Sequence, residues 1–210
     1  MTDLPRRPRA TPRRICVFCG STVGVNSKHL AEAKSLGRQM AAGNWGLVYG
    51  GTSVGLMGAT ADAVLSSGAE VIGILPRELQ EREIAHRRLT KLHLVESMHE
   101  RKALMASLSD AFIALPGGYG TLDEFFEIVT WAQLKIHFKP CVLINTNGYY
   151  DFLLRFLDQA VREEFVRPAN LGLVLVAKDP AEALQLIERS VRESSLDQTA
   201  GMQIVAKLTP

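Results

Sequence analysis

The chain of 210 residues has three cysteines, and no apolar run near the roughly twenty residues that a membrane helix needs. So few thiols exclude a disulfide framework and suit a reducing compartment. Cys16 and Cys19 form a CxxC, but they lie in the strand-like run RICVFCG, where residues three apart face opposite sides of a sheet. With no second cysteine pair to complete a metal site, they read as core packing. The first thirty residues carry no apolar segment of the kind a signal peptide needs, so a cytoplasmic protein with no membrane partner is expected.

Other absences narrow the chemistry. There is no GxxxxGK[ST] and no GxGxxG followed by an acid at the usual distance, which weighs against ATPase and standard NAD readings. His86, His93 and His99 have no metal-like spacing, and HLVESMH is not the i, i+4 pair of a zinc helix; no metal is expected. No lysine has a context that marks it as an imine-former, so no cofactor is expected either. An excess of charge is missing from the body of the chain. Lysine and arginine number 24 against 22 acids, yet Arg6, Arg7, Arg9, Arg13 and Arg14 all fall in the first fourteen residues. The basic character belongs to this arm. It could touch an acidic surface, but a solvated tail is the plainer reading, and no specific nucleic-acid partner is expected.

What is present is an alternation. ICVFC, GLVYG, EVIGIL, KLHLV, AFIAL, PCVLIN and LGLVLVA read as buried strands. Between most of them lie helical patterns: SKHLAEAKSLGRQMAAG, GLMGATADAVLSSG, MHERKALMASLSD, TLDEFFEIVTWAQLKIHF and YYDFLLRFLDQAVREEF, with DPAEALQLIERSVRE at the end. The pattern predicts an α/β fold, a Rossmann-like doubly wound parallel sheet with helices on both faces. The expected organisation is a disordered basic arm over 1–13, one domain over 14–192 and a flexible tail over 193–210. Such sheets bind ligands beyond the carboxyl ends of their strands, where the strand order reverses.

Three strand ends carry small residues: CGS at Cys19 to Ser21, GGTSVGLMG at Gly50 to Gly58 and PGGYGT at Pro116 to Thr121. Glycine lets backbone N–H groups approach an anion, and a helix that begins there adds unpaired donors and the positive end of its dipole. A phosphate-bearing ligand is expected, with Ser21, Gly51, Gly117, Gly118, Tyr119, Gly120 and Thr121 as its candidate contacts. Two acids, Asp123 and Glu124, follow the last loop. Thr121 to Glu124 fits the T-x-x-E capping box, in which both side chains satisfy free N–H groups at a helix start. Alternatively, an acid in the first helical turn after such a loop points into the crevice, beside the sugar of a bound nucleotide, where it opposes developing positive charge. Arg101 and Lys102 are adjacent on a helix and cannot share a face, so one can reach the ligand while the other turns to solvent.

MHERK at Met98 to Lys102, followed by PGGYGTLDE at Pro116 to Glu124, resembles the LOG family, the cytokinin riboside 5′-monophosphate phosphoribohydrolases often mislabelled as lysine decarboxylases. The likeness extends through VFCGS, YGGTSVGLMG, WAQLKIHFKP and NGYYD and covers Ile15 to Arg192. It implies a dimeric Rossmann-like enzyme that cleaves the N-glycosidic bond of adenine-type nucleoside 5′-monophosphates, cytokinin nucleotides or AMP, to free base and ribose 5-phosphate. It further implies Arg101 and Glu124 as the catalytic pair, and Lys102, the loop Gly118 to Thr121, Asp123 in a position where many members have glutamate, Glu83 and Thr130 as ligand contacts.

Two rivals share the fold and the loops: a non-catalytic nucleotide-binding module, and a pyridoxal phosphate-dependent lysine decarboxylase. A homodimer is expected through EFFEIVTWAQL and MHERKALMASL. Phe125, Phe126, Ile128, Val129 and Trp131 are too many large apolar groups for one helix to bury against one sheet face.

Overall fold

The computed structural model describes residues 13–80 and 85–193. Of the expected arm (1–13) and tail (193–210), residues 1–12 and 194–210 lie outside the described residues, as does the candidate contact Glu83. Arg13, assigned to the arm, is the first residue of a strand.

Seven strands form one sheet: β1 (Arg13–Phe18), β2 (Trp45–Tyr49), β3 (Val71–Pro76), β4 (Lys91–Val95), β5 (Ala111–Ala114), β6 (Cys141–Ile144) and β7 (Val174–Ala177). All six pairings are parallel, in the order β4-β3-β2-β1-β5-β6-β7. The order runs outward from β1 in one direction and resumes at β5 in the other, so the switch point lies between β1 and β5.

The helices are α1 (Ser27–Ala42), α2 (Gly55–Ser66), the short α3 (Arg77–Gln80), α4 (Met98–Ser107), α5 (Tyr119–Gln133), α6 (Asp151–Arg162) and the short α7 (Pro168–Leu171). Helical backbone over 180–193, here α8, ends the described chain. Side chains of β1 alternate between two cores, as strand geometry requires. Ile15, Val17 and Cys19 pack under α1, α2 and α8, while Cys16 and Phe18 pack under α4, α5 and α6. The CxxC is thus divided between the two faces, and both thiols are buried and unpaired. Among the described residues no helix is long and apolar enough to cross a membrane.

Two expectations about helix starts and faces change. The helix after the PGG loop begins at Tyr119 with Gly118 as its N-cap, so Thr121 and Glu124 cannot form a capping box, and Glu124 lies in the second turn rather than the first. A side-chain cap sits instead at the start of α4, with Ser97 as N-cap. There Ser97 Oγ accepts from Glu100 N–H at 3.1 Å, and the Glu100 carboxylate accepts from Glu96 N–H at 2.8 Å. The sheet also buries more of α5 than expected. Phe125 and Ile128 are enclosed within one chain, and Phe126, Val129 and Trp131 are half-buried. Exposed large apolar groups lie beyond the end of α5 and along α6.

Candidate active site

The loops after β1, β2 and β5 are joined through Gly20. Its N–H donates to the Pro116 carbonyl at 3.1 Å, and its carbonyl accepts from Leu56 N–H at 3.0 Å. This fastens the first turn of α2 and the PGG loop to the end of β1. The contact is close enough to dictate sequence at Gly55, where φ is +63° and a Cβ would come 2.2 Å from the Ser21 carbonyl carbon.

The cleft beside these loops is a cavity of about 350 Å³ lined by Cys19, Gly20, Ser21, Met57, Leu79, Met98, Arg101, Gly118, Tyr119, Gly120, Thr121, Asp123 and Glu124. One wall is the start of α5. Its N-cap, Gly118, has no side chain to satisfy the first-turn N–H groups, and a Cβ added at Gly118 or Gly120 would meet nothing within 4 Å. An uncapped helix N-terminus with open approach is a built anion site.

The opposite wall is Arg101 of α4. Its Nη2 lies 3.7 Å from Glu124 Oε1, with the two side chains only 7% and 13% exposed. Its Nη1 has the Met98 thioether at 3.7 Å, and its buried Nε has no hydrogen-bond partner. A buried guanidinium so weakly satisfied is primed to donate to an incoming acceptor. Lys102 takes the other side of the helix. Its Nζ lies 3.2 Å from Asp123 Oδ2 and 3.1 Å from Glu127 Oε2. Burial works against the Lys102 ammonium, but the facing carboxylates of Glu127 and Asp123 outweigh it and raise its pKa. The adjacent pair therefore serves two walls: Arg101 enters the cavity, and Lys102 ties α4 to α5 just outside it.

Of the other sequence candidates, Ser21, Gly118, Tyr119, Gly120, Thr121 and Asp123 line the same cavity. Gly51 lies behind it with φ +85°, its carbonyl accepting from His86 N–H at 2.9 Å. Gly117 stands behind the loop, its carbonyl accepting from Tyr149 O–H at 2.7 Å. Thr130 lies further along α5, where its hydroxyl donates to the Phe126 carbonyl at 2.7 Å, and it does not reach the cavity. Met57, Leu79 and Met98 were not anticipated. Met57 lies within the GGTSVGLMG segment, and Met98 stands three residues before Arg101 and so on the same helical face; Leu79 had no sequence signal.

Cys19 also faces the cavity. Burial, with a smaller contribution from the Glu124 charge, pushes its thiol far above the usual range, so it is a neutral wall and not a nucleophile. No group of three metal-ligating side chains occurs among the described residues. The arrangement offers anion-binding donors, two carboxylates, Asp123 and Glu124, and one guanidinium around a space large enough for a small molecule.

A family profile described as "Possible lysine decarboxylase" matches residues 57–187. The chain is 51% identical over 176 residues to a probable cytokinin riboside 5′-monophosphate phosphoribohydrolase of Oryza sativa subsp. japonica, covering 84% of this chain and 70% of that one. It is 48% identical over 187 residues to the cytokinin riboside 5′-monophosphate phosphoribohydrolase of Rhodococcoides fascians, covering 89% and 94%. Among solved structures, the Moco carrier protein of Chlamydomonas reinhardtii matches with a TM-score of 0.66 at 24% identity, over 87% of this chain and 99% of that one. That likeness bears on the fold alone.

Proposed function

The chain belongs to the family of possible lysine decarboxylases that includes the cytokinin riboside 5′-monophosphate phosphoribohydrolases, and we propose that it hydrolyses the N-glycosidic bond of adenine-type nucleoside 5′-monophosphates. The products are free base and ribose 5-phosphate. The substrate is a cytokinin riboside 5′-monophosphate, AMP or both. One observation carries this reading: the uncapped start of α5 and the Arg101–Glu124 pair face the same cavity.

Cleaving the C1′–N bond makes the ribose oxocarbenium-like and moves electron density onto the base, so stabilisation must be strongest in the transition state. The N–H groups at the start of α5 hold the 5′-phosphate, far from the bond that breaks. That anchor sets C1′ against Glu124. The Glu124 carboxylate opposes the charge on the sugar and takes a proton from the attacking water. Arg101 supplies fixed planar donors to the substrate and orients the carboxylate it pairs with.

A lysine decarboxylase needs an amine of depressed pKa to form its imine. Among the described residues no lysine lines the cavity, and Lys102, adjacent to Arg101 on α4, is held as an ammonium by two carboxylates. This favours hydrolysis. We further propose a homodimer, supported by Phe152, Phe156 and Phe165, which are 80%, 65% and 87% exposed in the single chain. A cytoplasmic location is proposed on the three unpaired cysteines.

The test is product analysis by chromatography with AMP, its N6-isopentenyl derivative and adenosine. Free base and ribose 5-phosphate should appear from the monophosphates, and almost nothing from adenosine. Adenosine cleaved as fast as AMP, or AMP converted to adenosine and inorganic phosphate, would overturn the assignment.

A further inference from the structure

Behind the PGG loop stand two consecutive tyrosines from the turn between β6 and α6. Tyr150 O–H donates to the Leu115 carbonyl and Tyr149 O–H to the Gly117 carbonyl, each at 2.7 Å. The two acceptors are two residues apart, so neighbouring phenols grip the loop at successive points along one edge. We infer that Tyr149 is a positioning residue for the phosphate end of the substrate, acting through the Gly117–Gly118 peptide.

The argument rests on the planarity of that peptide. In a trans peptide the carbonyl of one residue and the N–H of the next point in opposite directions. No peptide among the described residues is cis. Fixing the Gly117 carbonyl toward Tyr149 therefore fixes the Gly118 N–H away from it. Gly118 lines the cavity and caps α5, so this bond also sets the direction in which the helix enters. Gly117 packs against Thr121 and Gly20, but Gly118 and Gly120 have open space where a Cβ would stand, and glycine resists rotation less than any other residue, so the phenol's hold on the Gly117 carbonyl is what orients that peptide.

Tyr149 is itself held firmly. Its ring meets Tyr150 edge-on at 4.9 Å and His29 at 5.6 Å. The turn that presents both phenols is closed by Asn145, which accepts from Tyr150 N–H at 2.7 Å and donates to Asp151 at 2.8 Å. Asn147 and Gly148 within it have φ of 54° and 73°, a left-handed pair that reverses the chain sharply. Tyr149 is 46% exposed, so removing its hydroxyl opens no cavity in the core.

This inference rests on the proposed phosphoribohydrolase reading, and the test separates the two. Dissociation constants for AMP, ribose 5-phosphate and adenine are measured by calorimetric competition on the full chain and on Tyr149→Phe, which keeps both ring contacts. The variant should bind AMP and ribose 5-phosphate about fivefold more weakly, the loss expected for one neutral hydrogen bond. Its affinity for adenine should be unchanged, its melting temperature should fall by no more than about 4 °C, as for one neutral hydrogen bond in a chain of this size, and KM for AMP should rise more than kcat falls. Unchanged affinity for ribose 5-phosphate, or an equal loss for adenine, would overturn the positioning role. If the unaltered chain binds ribose 5-phosphate no better than ribose, the phosphate anchor of the proposed function fails, and that result does not depend on Tyr149.

Discussion

The guanidinium of Arg101 rests against the Cα of Gly50: a methyl group on that glycine would come 2.2 Å from Nη2. Gly50 follows the last residue of β2, so the end of a central strand is the floor on which the buried arginine lies. The same Nη2 faces Glu124 at 3.7 Å, which makes the absence of a side chain at residue 50 a condition for the pair.

Gly50→Ala should therefore disable the enzyme without unfolding it. The obstructing atom is the far end of a flexible side chain, so Arg101 swings aside and the strand stays in place. A displacement of this size costs on the order of 100-fold in kcat/KM for a group that acts on the reacting centre. Steady-state kinetics beside a thermal melt measures both. An active variant would show that Arg101 is not needed where it lies.

Glu124→Gln should lower kcat by about 10³ while AMP still binds, since the amide keeps size and reach but cannot oppose a sugar cation. The start of α5 sharpens this expectation. With Gly118 as N-cap and Thr121 already inside the helix, Glu124 is not a capping-box residue, and activity should fall far more than the melting temperature. A variant that is less stable yet normally active per folded molecule would assign Glu124 a structural role.

The central strands were legible because both faces of the sheet are covered there, which turns each into a continuous apolar run; AFIAL became β5, Ala111–Ala114, with all four residues buried. The three glycine-bearing loops were legible for the same reason, each following such a run. The start of α5 was not. Gly118 and Gly120 are poor helix residues, and the helix begins there because the loop is fastened from outside, by Gly20 and the tyrosines, not by a local cap. Nor could periodicity say which of Arg101 and Lys102 faces inward, because that depends on the helix phase set by the sheet beneath α4. Met57, Leu79 and Met98 come from three separate helices, and only the folded sheet brings them to one wall.

Phe152 and Phe156, one turn apart on α6, should carry the contact between two copies. No residue of α6 is fully buried in the single chain, although Leu153 and Leu154 pack on the core that α4 and α5 share. An amphipathic helix with phenylalanines outward is what a covered face looks like before its partner arrives. Replacing both by serine should convert a dimer into a monomer in size-exclusion chromatography with light scattering. A chain that is already monomeric would remove the proposal, and a double variant that stays dimeric would place the contact elsewhere.

Stability should fall as pH drops from about 6.5 toward 5, and His137 should account for part of that fall. Burial holds its pKa below the ordinary histidine value, with the Lys139 charge adding to the effect and the Ile128 carbonyl opposing it. Nε2 of the ring lies 3.0 Å from that carbonyl, and Nδ1 accepts from Lys139 N–H at 3.1 Å. A proton on Nδ1 would set one N–H against another. His93 is shifted the same way, by burial first and Lys91 second. The unfolded chain takes up these protons near pH 6.5, and the folded chain only at lower pH. Between the two values the unfolded state binds more protons, so stability is present above 6.5 and declines as pH falls toward the folded pKa. His137→Gln keeps a donor for Ile128 and cannot be charged, so its melting temperature should change less than that of the parent chain between pH 7.5 and 5.5. Parallel melting curves for the two proteins across that range would show that His137 contributes nothing to the acid limb.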